Sequence, residues 1–563
     1  MPSMIIDGIR VSFTDESNVL SVIRKAGIDL PTLCYLSELS IYGACRLCTV
    51  KDGEGRYFTS CSAKPQDGMV IYTNTADLRK YRRMIVELLL VSHDRHCTSC
   101  TKNGRCQLQK LAERMHIRDV RFSNLQETHT LDGSSHCIVR NPAKCILCGD
   151  CVRMCDNVQS VGAIDFAGKG AKVFVSPKGN SLIADTDCVG CGQCRVVCPT
   201  GAISIKDNTE EVWSALDDPR CKVVAQIAPA VRTAIGDHFG FPFGTNAMNR
   251  LVTAMRRLGF DEVYDTAFGA DLTVIEESKE LLHRLEHGGK LPLFTSCCPG
   301  WVKFCEKRHP DFVPHLSTCR SPMQMFGAVL RAYEQKKPDS EGRRLVSVAI
   351  MPCTAKKDEI TRSESYTDGV QDVDFVLTTE ELVGMLRTYG LDLNAIEEDS
   401  ADMPFGITSS AGLIFGVTGG VTEAVLRNLT AGQSRAKLNA IKNSGVRGKE
   451  GIKEFTFPYQ GATLRAAVVS GLRNADALMN AIRVGEKHYD FVEVMACPGG
   501  CIMGGGQPVH LEQNVFGGRS NSLYETDVNQ QIKTTSGNPL MQSLYETLLK
   551  GREHELLHRH SPV

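Results

Sequence analysis

One spacing constrains this chain more than any other feature. Cys145-x2-Cys148-x2-Cys151-x3-Cys155 recurs as Cys188-x2-Cys191-x2-Cys194-x3-Cys198-Pro199. Such runs hold paired 4Fe-4S clusters, the fourth Cys of each run ligating the other cluster. Cys145, Cys148, Cys151 and Cys198 are therefore expected around one cubane, and Cys155, Cys188, Cys191 and Cys194 around its neighbour. Structural zinc does not suit the pattern, because each C-x2-C-x2-C run leaves the wrong number of thiols per ion. The first run carries Asp156 where the second has proline.

The chain has 563 residues and 24 cysteines, 16 of them within the first 200 residues and eight in the rest. The front is thus chemically unlike the back. A chain this long buries a core without cross-links, so the thiols point to metal rather than to disulfides in a reducing cytosol. Lys+Arg (64) and Asp+Glu (65) nearly cancel. That balance argues against nucleic acid or an anionic membrane as the main partner. No apolar run approaches the roughly 18 residues of a membrane span, and the first residues, MPSMIIDGIRVSF, do not read as a secretory signal.

Two further thiol groups precede the repeat. Cys34, Cys45, Cys48 and Cys61 form a lone Cys, a C-x2-C pair and a later Cys, which suits a 2Fe-2S cluster better than zinc. Around them lie a hairpin signal at Asp7-Gly8, a helical stretch (SVIRKAGI) and a short strand, Met69 to Tyr72, as in a small β-grasp domain. His93-x3-Cys97-x2-Cys100-x5-Cys106 follows a basic amphipathic segment, RKYRRMIVELLLVSH, expected to be helical. Spacing alone leaves zinc and a 4Fe-4S cluster open there, and leaves His96 as the alternative to His93.

Beyond Asp207 the composition becomes that of an α/β region. VVAQIAPAV, LPLFTS, LVSVAIM, DFVLT, LRAAVVSG and DFVEVMA read as strands, and LTVIEESKELLHRLEHG, TEELVGMLRTYG and ADALMNAIRVG as helices. Parallel sheets with crossovers are expected. Three apolar strands run into cysteine: PLFTSCC (Cys297, Cys298), VAIMPC (Cys353) and VEVMAC (Cys497, then Cys501). Ligands of open α/β sheets bind beyond the carboxyl ends of strands, so these thiols suggest one shared site. The glycines of ACPGGCIMGGGQP would let backbone approach a bulky group closely.

TSCCPGW (295–301), MPCTAKKDE (351–359) and EVMACPGGCIMGGGQP (493–508) resemble the three signatures of iron-iron (FeFe) hydrogenases. With the cluster array in front, the resemblance is to the monomeric clostridial type and covers nearly the whole chain. It implies an active centre, the H-cluster, in which a 4Fe-4S cubane is joined through one cysteine to a diiron unit bearing CO, cyanide and a bridging dithiolate amine. Cys298, Cys353, Cys497 and Cys501 match the cubane ligands, Cys501 being the bridge. Cys297 matches a proton-relay thiol, Lys356 the contact to a cyanide, and Met351 and Met495 apolar packing. Pro229 and Ser321 match further pocket positions. The resemblance also favours His93 over His96, and iron over zinc. A proton path is implied through Glu277, Ser317, Glu280 and Arg284; the two glutamates and the arginine lie at i, i+3 and i+7 on one expected helix and share a face. Where some relatives carry glutamine, this chain has Met323, and Cys319 is an extra thiol near the pocket. Cys137, Cys221 and Cys305 read as buried structural thiols, and the polar GREHELLHRHSPV as a frayed terminus.

The expected architecture is multidomain, α+β and α/β. It comprises a β-grasp 2Fe-2S ferredoxin-like domain (1–78), a small helical 4Fe-4S domain with one histidine and three cysteines as ligands (79–120), a bacterial 2x4Fe-4S ferredoxin-like domain (136–208) and a large α/β catalytic domain (209–563). The resemblance implies a cytoplasmic ferredoxin hydrogenase interconverting protons, electrons and dihydrogen. It would use one 2Fe-2S cluster, three accessory 4Fe-4S clusters and the H-cluster, a soluble ferredoxin-like carrier, and maturation proteins for the diiron unit. A hydrogen sensor or an electron-transfer subunit of a larger complex are the rival readings. Sensory relatives tend to lose the relay cysteine, which is present here as Cys297.

Overall fold

The computed structural model describes residues 1–123, 130–336, 342–430, 434–510 and 514–559. These gather into two compact units. The first comprises Met1–Val158, Gly162–Cys188 and Gln193–Ser204; the second comprises Gln159–Val161, Val189–Gly192 and Ile205–Val563.

The first unit opens with a five-stranded sheet whose spatial order is Ile9–Ser12, Ser3–Ile6, Val70–Tyr72, Thr49–Asp52, Tyr57–Thr59. Asp7 and Gly8 both take positive φ (49° and 88°), the backbone of the I′ turn that suits a right-twisted hairpin. Asn18 caps the helix Val19–Lys25, accepting from the Ser21 N–H. That helix buries Val19, Leu20, Val22 and Ile23 against Met4, Ile6, Val50 and Ile71 of the sheet. The basic segment is a helix, Ala76–Val91, capped by Thr75. In the repeat region the backbone is short helices and two small two-stranded sheets.

The second unit contains two four-stranded sheets. One is wholly parallel, in the order Glu262–Asp265, Cys221–Ile227, Arg344–Met351, Phe375–Thr378. The other runs Leu293–Phe294, Phe491–Met495, Ala462–Ser470, Ile452–Tyr459, with only the last pair antiparallel. The six expected strands are all present, several trimmed, but they divide between two sheets. VVAQIAPAV leaves the sheet at Ile227, and LPLFTS contributes only Leu293–Phe294. The helices Ala267–His287, Thr379–Tyr389 and Leu472–Arg483 cover the expected helical stretches. Thr378 and Glu381 close a reciprocal capping box at the start of the second, a motif whose N-cap residue contributes about 1 kcal/mol.

Cys137, Cys221, Cys305 and Cys319 are buried. The final polar segment is not a frayed end over its described length. Glu553–Leu557 is helical, Leu556 and Leu557 are fully buried in an apolar cluster, and their burial outweighs the polar composition around them. Residues 560–563 lie outside the described residues. Among the described residues no helix is long and apolar enough to cross a membrane.

Candidate active centre and cluster sites

In the first unit Cys34, Cys45, Cys48 and Cys61 are all buried. The Cys45 N–H points at Cys34 Sγ (3.3 Å) and the Leu33 N–H at Cys45 Sγ (3.4 Å). A hydrogen bond from Cys45 draws the Cys34 thiol down to about 6, and the bond between the two pushes Cys45 up. Cys48 and Cys61 behave likewise, Cys48 being drawn down to about 6. Thiols that share a proton and accept backbone N–H groups are set up to serve as thiolate ligands.

His93 is buried and its Nδ1 has no hydrogen-bond partner. Burial lowers its pKa, so the ring is neutral and ready to ligate. The His96 side chain is 87% exposed and turned to Asp94. Cys106 is buried, and a Cβ on Gly201 would lie 2.7 Å from Cys100 Sγ. Only glycine permits that approach.

One cavity is lined by Cys145, Cys148, Cys151 and Cys198 together. Burial pushes Cys148, Cys151 and Cys194 far up as thiols. Cys155 is pushed to about 11, first by burial, with Cys188 adding to it. The sulfurs of Cys145 and Cys155 accept N–H groups from Leu147 (3.4 Å) and Ala163 (3.3 Å).

In the second unit three loops converge. Cys298 is the N-cap of the helix Pro299–Arg308 and its sulfur accepts the Ala496 N–H at 3.4 Å. Cys353 follows the strand Arg344–Met351 of one sheet, while Cys497 follows Phe491–Met495 of the other. Cys501 begins a short 3-10 turn. Burial raises all four thiols, Cys353 to about 12, and each is raised further by at least one of the others, save Cys298. Cys298 is a neighbour in the other three cases. A dry pocket disfavours thiolates, so these thiols keep their protons unless a metal takes the protons' place. A Cβ on Gly504 would lie 2.2 Å from the Pro352 carbonyl oxygen, and Gly500 takes φ 86°. Glycine is thus required where these loops meet.

Lys356 is buried, its Nζ donating to Glu359 (2.7 Å) and to the Cys297 carbonyl (3.3 Å). Burial opposes its charge, but Glu359 and the surrounding thiols outweigh it and its pKa lies above the usual value. It is a buried cation paired with Glu359. Met351, Met495 and Pro229 are buried. Ser321 is buried with its Oγ unpartnered, and it lines a cavity with Ser296, Gln324 and Glu359. Gln324 has both amide atoms buried without a partner. An amide therefore reaches this cavity one residue after Met323.

Cys297 is buried, and its thiol is pushed far up, first by burial and then by Glu277. Glu277 is fully buried; Oε1 accepts the Ser296 N–H at 3.4 Å, and Oε2 has no partner. Burial, with Glu280 nearby, raises its pKa to about 8. Glu280 accepts from Ser317 Oγ (2.8 Å), the Thr318 N–H (3.0 Å) and Arg284 Nη2 (2.6 Å). Arg284 also binds the Lys290 and Leu316 carbonyls, each at 2.9 Å. The helix Ala267–His287 carries all three charged members, as their spacing predicts.

The donors fit the groups that the sequence implies: buried thiols, an unpartnered imidazole nitrogen and a buried ammonium. Sequence reasoning missed Glu359, Gln324, Glu276 and Thr318. Glu359 had a signal, since it stands one helical turn after Lys356; Gln324, Glu276 and Thr318 adjoin the named Met323, Glu277 and Ser317 in sequence, but their contacts are made only in the fold. Among the described residues no three His, Cys, Asp or Glu side chains are spaced for a single metal ion.

Residues 221–505 match the family model of the iron only hydrogenase large subunit, C-terminal domain. Residues 3–76 match a 2Fe-2S iron-sulfur cluster binding domain, 82–121 the NADH-ubiquinone oxidoreductase-G iron-sulfur binding region, and 144–202 a 4Fe-4S dicluster domain. The chain is 40% identical over 577 aligned residues to NADP-reducing hydrogenase subunit HndD of Solidesulfovibrio fructosivorans, covering all of this chain and 98% of that one. It is 35% identical to iron hydrogenase 1 of Clostridium pasteurianum, covering 99% of each. A solved variant of the FeFe hydrogenase HydA1 from Chlamydomonas reinhardtii aligns at TM-score 0.55 and 38% identity, over 62% of this chain and 98% of that one. The chain belongs to the iron-only (FeFe) hydrogenase family, with iron-sulfur domains ahead of the catalytic one.

Proposed function

We propose that this chain is a hydrogenase that reversibly reduces protons to dihydrogen, with accessory iron-sulfur clusters delivering or removing the electrons. The observation that carries this reading is the convergence of Cys298, Cys353, Cys497 and Cys501 from two sheets beside the buried Lys356. When bound, the H-cluster supplies the metal chemistry that makes and splits dihydrogen. The protein holds it through those four thiolates. Lys356 would donate to a cyanide of that group, and Met351, Met495, Pro229 and Ser321 would wall the pocket and exclude water.

The Cys297 thiol would carry protons between the bound group and Glu277. Glu277, raised to about 8, holds its proton at neutral pH, so it both gives and takes one near working conditions. Ser317 passes protons on to Glu280, whose carboxylate is oriented by Arg284 toward the outside. In front, one 2Fe-2S cluster sits on Cys34, Cys45, Cys48 and Cys61, and one 4Fe-4S cluster on His93, Cys97, Cys100 and Cys106. The cavity lined by Cys145, Cys148, Cys151 and Cys198 supports the cross-ligation assigned to the two remaining cubanes. The functional boundaries are 1–78, 79–120, 136–208 and 209–563.

The electron partner is a soluble ferredoxin-like carrier. A second reading, in which the chain is one subunit of an NADP-reducing assembly, is favoured by the full-length match to a protein of that description. Dihydrogen evolution by the matured chain alone distinguishes them. Sustained turnover with reduced ferredoxin supports the first. Activity with a reduced viologen dye but none with ferredoxin supports the second, and none with either donor contradicts both.

A further inference from the structure

The end of the described chain brings a histidine to the proton path from outside the helix that carries it. Arg320 N–H donates to the Leu557 carbonyl and Arg559 N–H to the Thr318 carbonyl, each at 2.8 Å, and Cys319 and His558 form an antiparallel bridge. This short pairing fixes the His558 ring between two acidic sites. Nδ1 lies 2.9 Å from Thr318 Oγ1, and Nε2 lies 3.1 Å from Glu276 Oε2. Thr318 Oγ1 in turn lies 3.3 Å from Glu280 Oε2. A continuous hydrogen-bonded chain therefore runs from Glu276 through His558 and Thr318 to the relay carboxylate.

The direction of each bond follows from what each group can do. An ionised carboxylate only accepts. Burial opposes the charge on Glu276, but hydrogen bonds from His558, Lys279 and Tyr545 hold its carboxyl down at about 2. Nε2 must then donate to Glu276. The Thr318 hydroxyl donates to Glu280, so Nδ1 must donate to Thr318. Both ring nitrogens then donate, Nδ1 toward Thr318 and the relay carboxylate and Nε2 away from it toward Glu276. The charged and titratable groups facing the ring are Glu276 from the helix Ala267–His287, and His554, stacked at 5.3 Å between ring centroids. Arg320 Nε binds the His558 carbonyl at 3.0 Å, and Arg559 binds the Ser317 carbonyl at 3.1 Å.

We propose that His558 is a second proton mouth of the hydrogenase, passing protons through the Thr318 hydroxyl to Glu280 in parallel with the Arg284 exit. The Nδ1 proton moves to Thr318 Oγ1 as the hydroxyl proton moves to Glu280. The neutral ring takes its next proton from solvent, to which 13% of its side chain is open, and the hydroxyl turns back. In dihydrogen oxidation the same hops run outward, and no electron is involved. His558 acts through Glu280 and touches no reacting atom.

This inference rests on the reading of Glu280 as a relay member, so the test includes Glu280→Gln. Matured full-length His558→Gln, Thr318→Val, Thr318→Ser and His558→Ala are compared with wild type, all with unchanged CO and cyanide infrared bands. His558→Gln and Thr318→Val should each slow dihydrogen evolution by up to roughly tenfold, below the 10²–10⁴ of a sole acid–base group because Arg284's exit stays open. The deficit should widen as buffer is diluted, Thr318→Ser should regain the rate, and added imidazole should rescue His558→Ala. Nitrogen-15 NMR of labelled histidine should show both His558 ring nitrogens carrying protons. Wild-type rates in His558→Gln and Thr318→Val at every buffer concentration would overturn the proposal. So would a deficit that imidazole does not repair, or a singly protonated ring. If Glu280→Gln keeps full turnover, the relay itself is misassigned; if it loses turnover while His558→Gln and Thr318→Val keep the wild-type rate, only the second mouth is wrong.

Discussion

The two ends of the molecule collect thiols in opposite ways. In the first unit the ligand sets are mostly local in sequence, and the sulfurs of Cys34, Cys45, Cys145 and Cys155 receive nearby backbone N–H groups. In the second unit four thiols come from loops up to about 200 residues apart, behind strands of two different sheets; burial raises thiols in both units. Local loops suffice to hold a cluster that only passes electrons. A centre that must also move protons needs acid–base side chains placed beside it, and these come from segments distant in sequence, as where Ser317 meets Glu280.

The sharpest way to break this contrast is to remove one thiol on each side. Cys353→Ala should abolish dihydrogen turnover and the CO and cyanide infrared bands, because the centre loses a ligand that no neighbouring loop replaces. Bands of normal intensity in that variant would place the centre elsewhere. Next in size is the proton path. Glu280→Gln keeps its shape but not its charge, and should cut turnover by about 10²–10⁴-fold while leaving every cluster in place. Near-normal rates would remove Glu280 from the path.

A smaller effect concerns stability. The folded-state pKa of Glu277, about 8, lies above its ordinary value of 4.5. The folded protein therefore binds more protons than the unfolded one between these values, and stability falls as pH rises through about 8. Glu277→Gln should melt with a flatter pH dependence than wild type between pH 5 and 9, the difference growing on the alkaline side. Parallel melting curves would contradict the burial argument. The smallest effect is expected in front. His93→Ala should lose one peripheral cluster and leave dye-driven turnover and the infrared bands essentially intact. Zinc bound stoichiometrically by the wild-type protein would overturn the cluster assigned to His93, Cys97, Cys100 and Cys106.

The same contrast explains what the sequence disclosed. Of the front ligand runs, the grouping of Cys145, Cys148, Cys151 and Cys198, which line one cavity, was legible from spacing. Strand and helix patterns behind them were also legible, and the face shared by Glu277, Glu280 and Arg284 followed from helical periodicity. That the strands divide into two sheets was not, since a two-residue strand such as Leu293–Phe294 carries almost no periodic signal. Nor was the docking of the final helix, where two buried leucines are hidden among charged residues. His558 and Glu276 lie 282 residues apart and meet at 3.1 Å, and nothing local in sequence announces such a pair.

The central claim is that the convergence of loops in the second unit builds a catalytic centre with Cys297 as its proton outlet and Cys298 as a ligand. Turnover and infrared spectra of matured Cys297→Ala and Cys298→Ala, recorded side by side, test it most directly. Cys297→Ala should retain the CO and cyanide bands yet lose at least about 10²-fold in turnover, whereas Cys298→Ala should lose the bands themselves. Full activity in Cys297→Ala, or bands lost from it and kept in Cys298→Ala, would contradict the account.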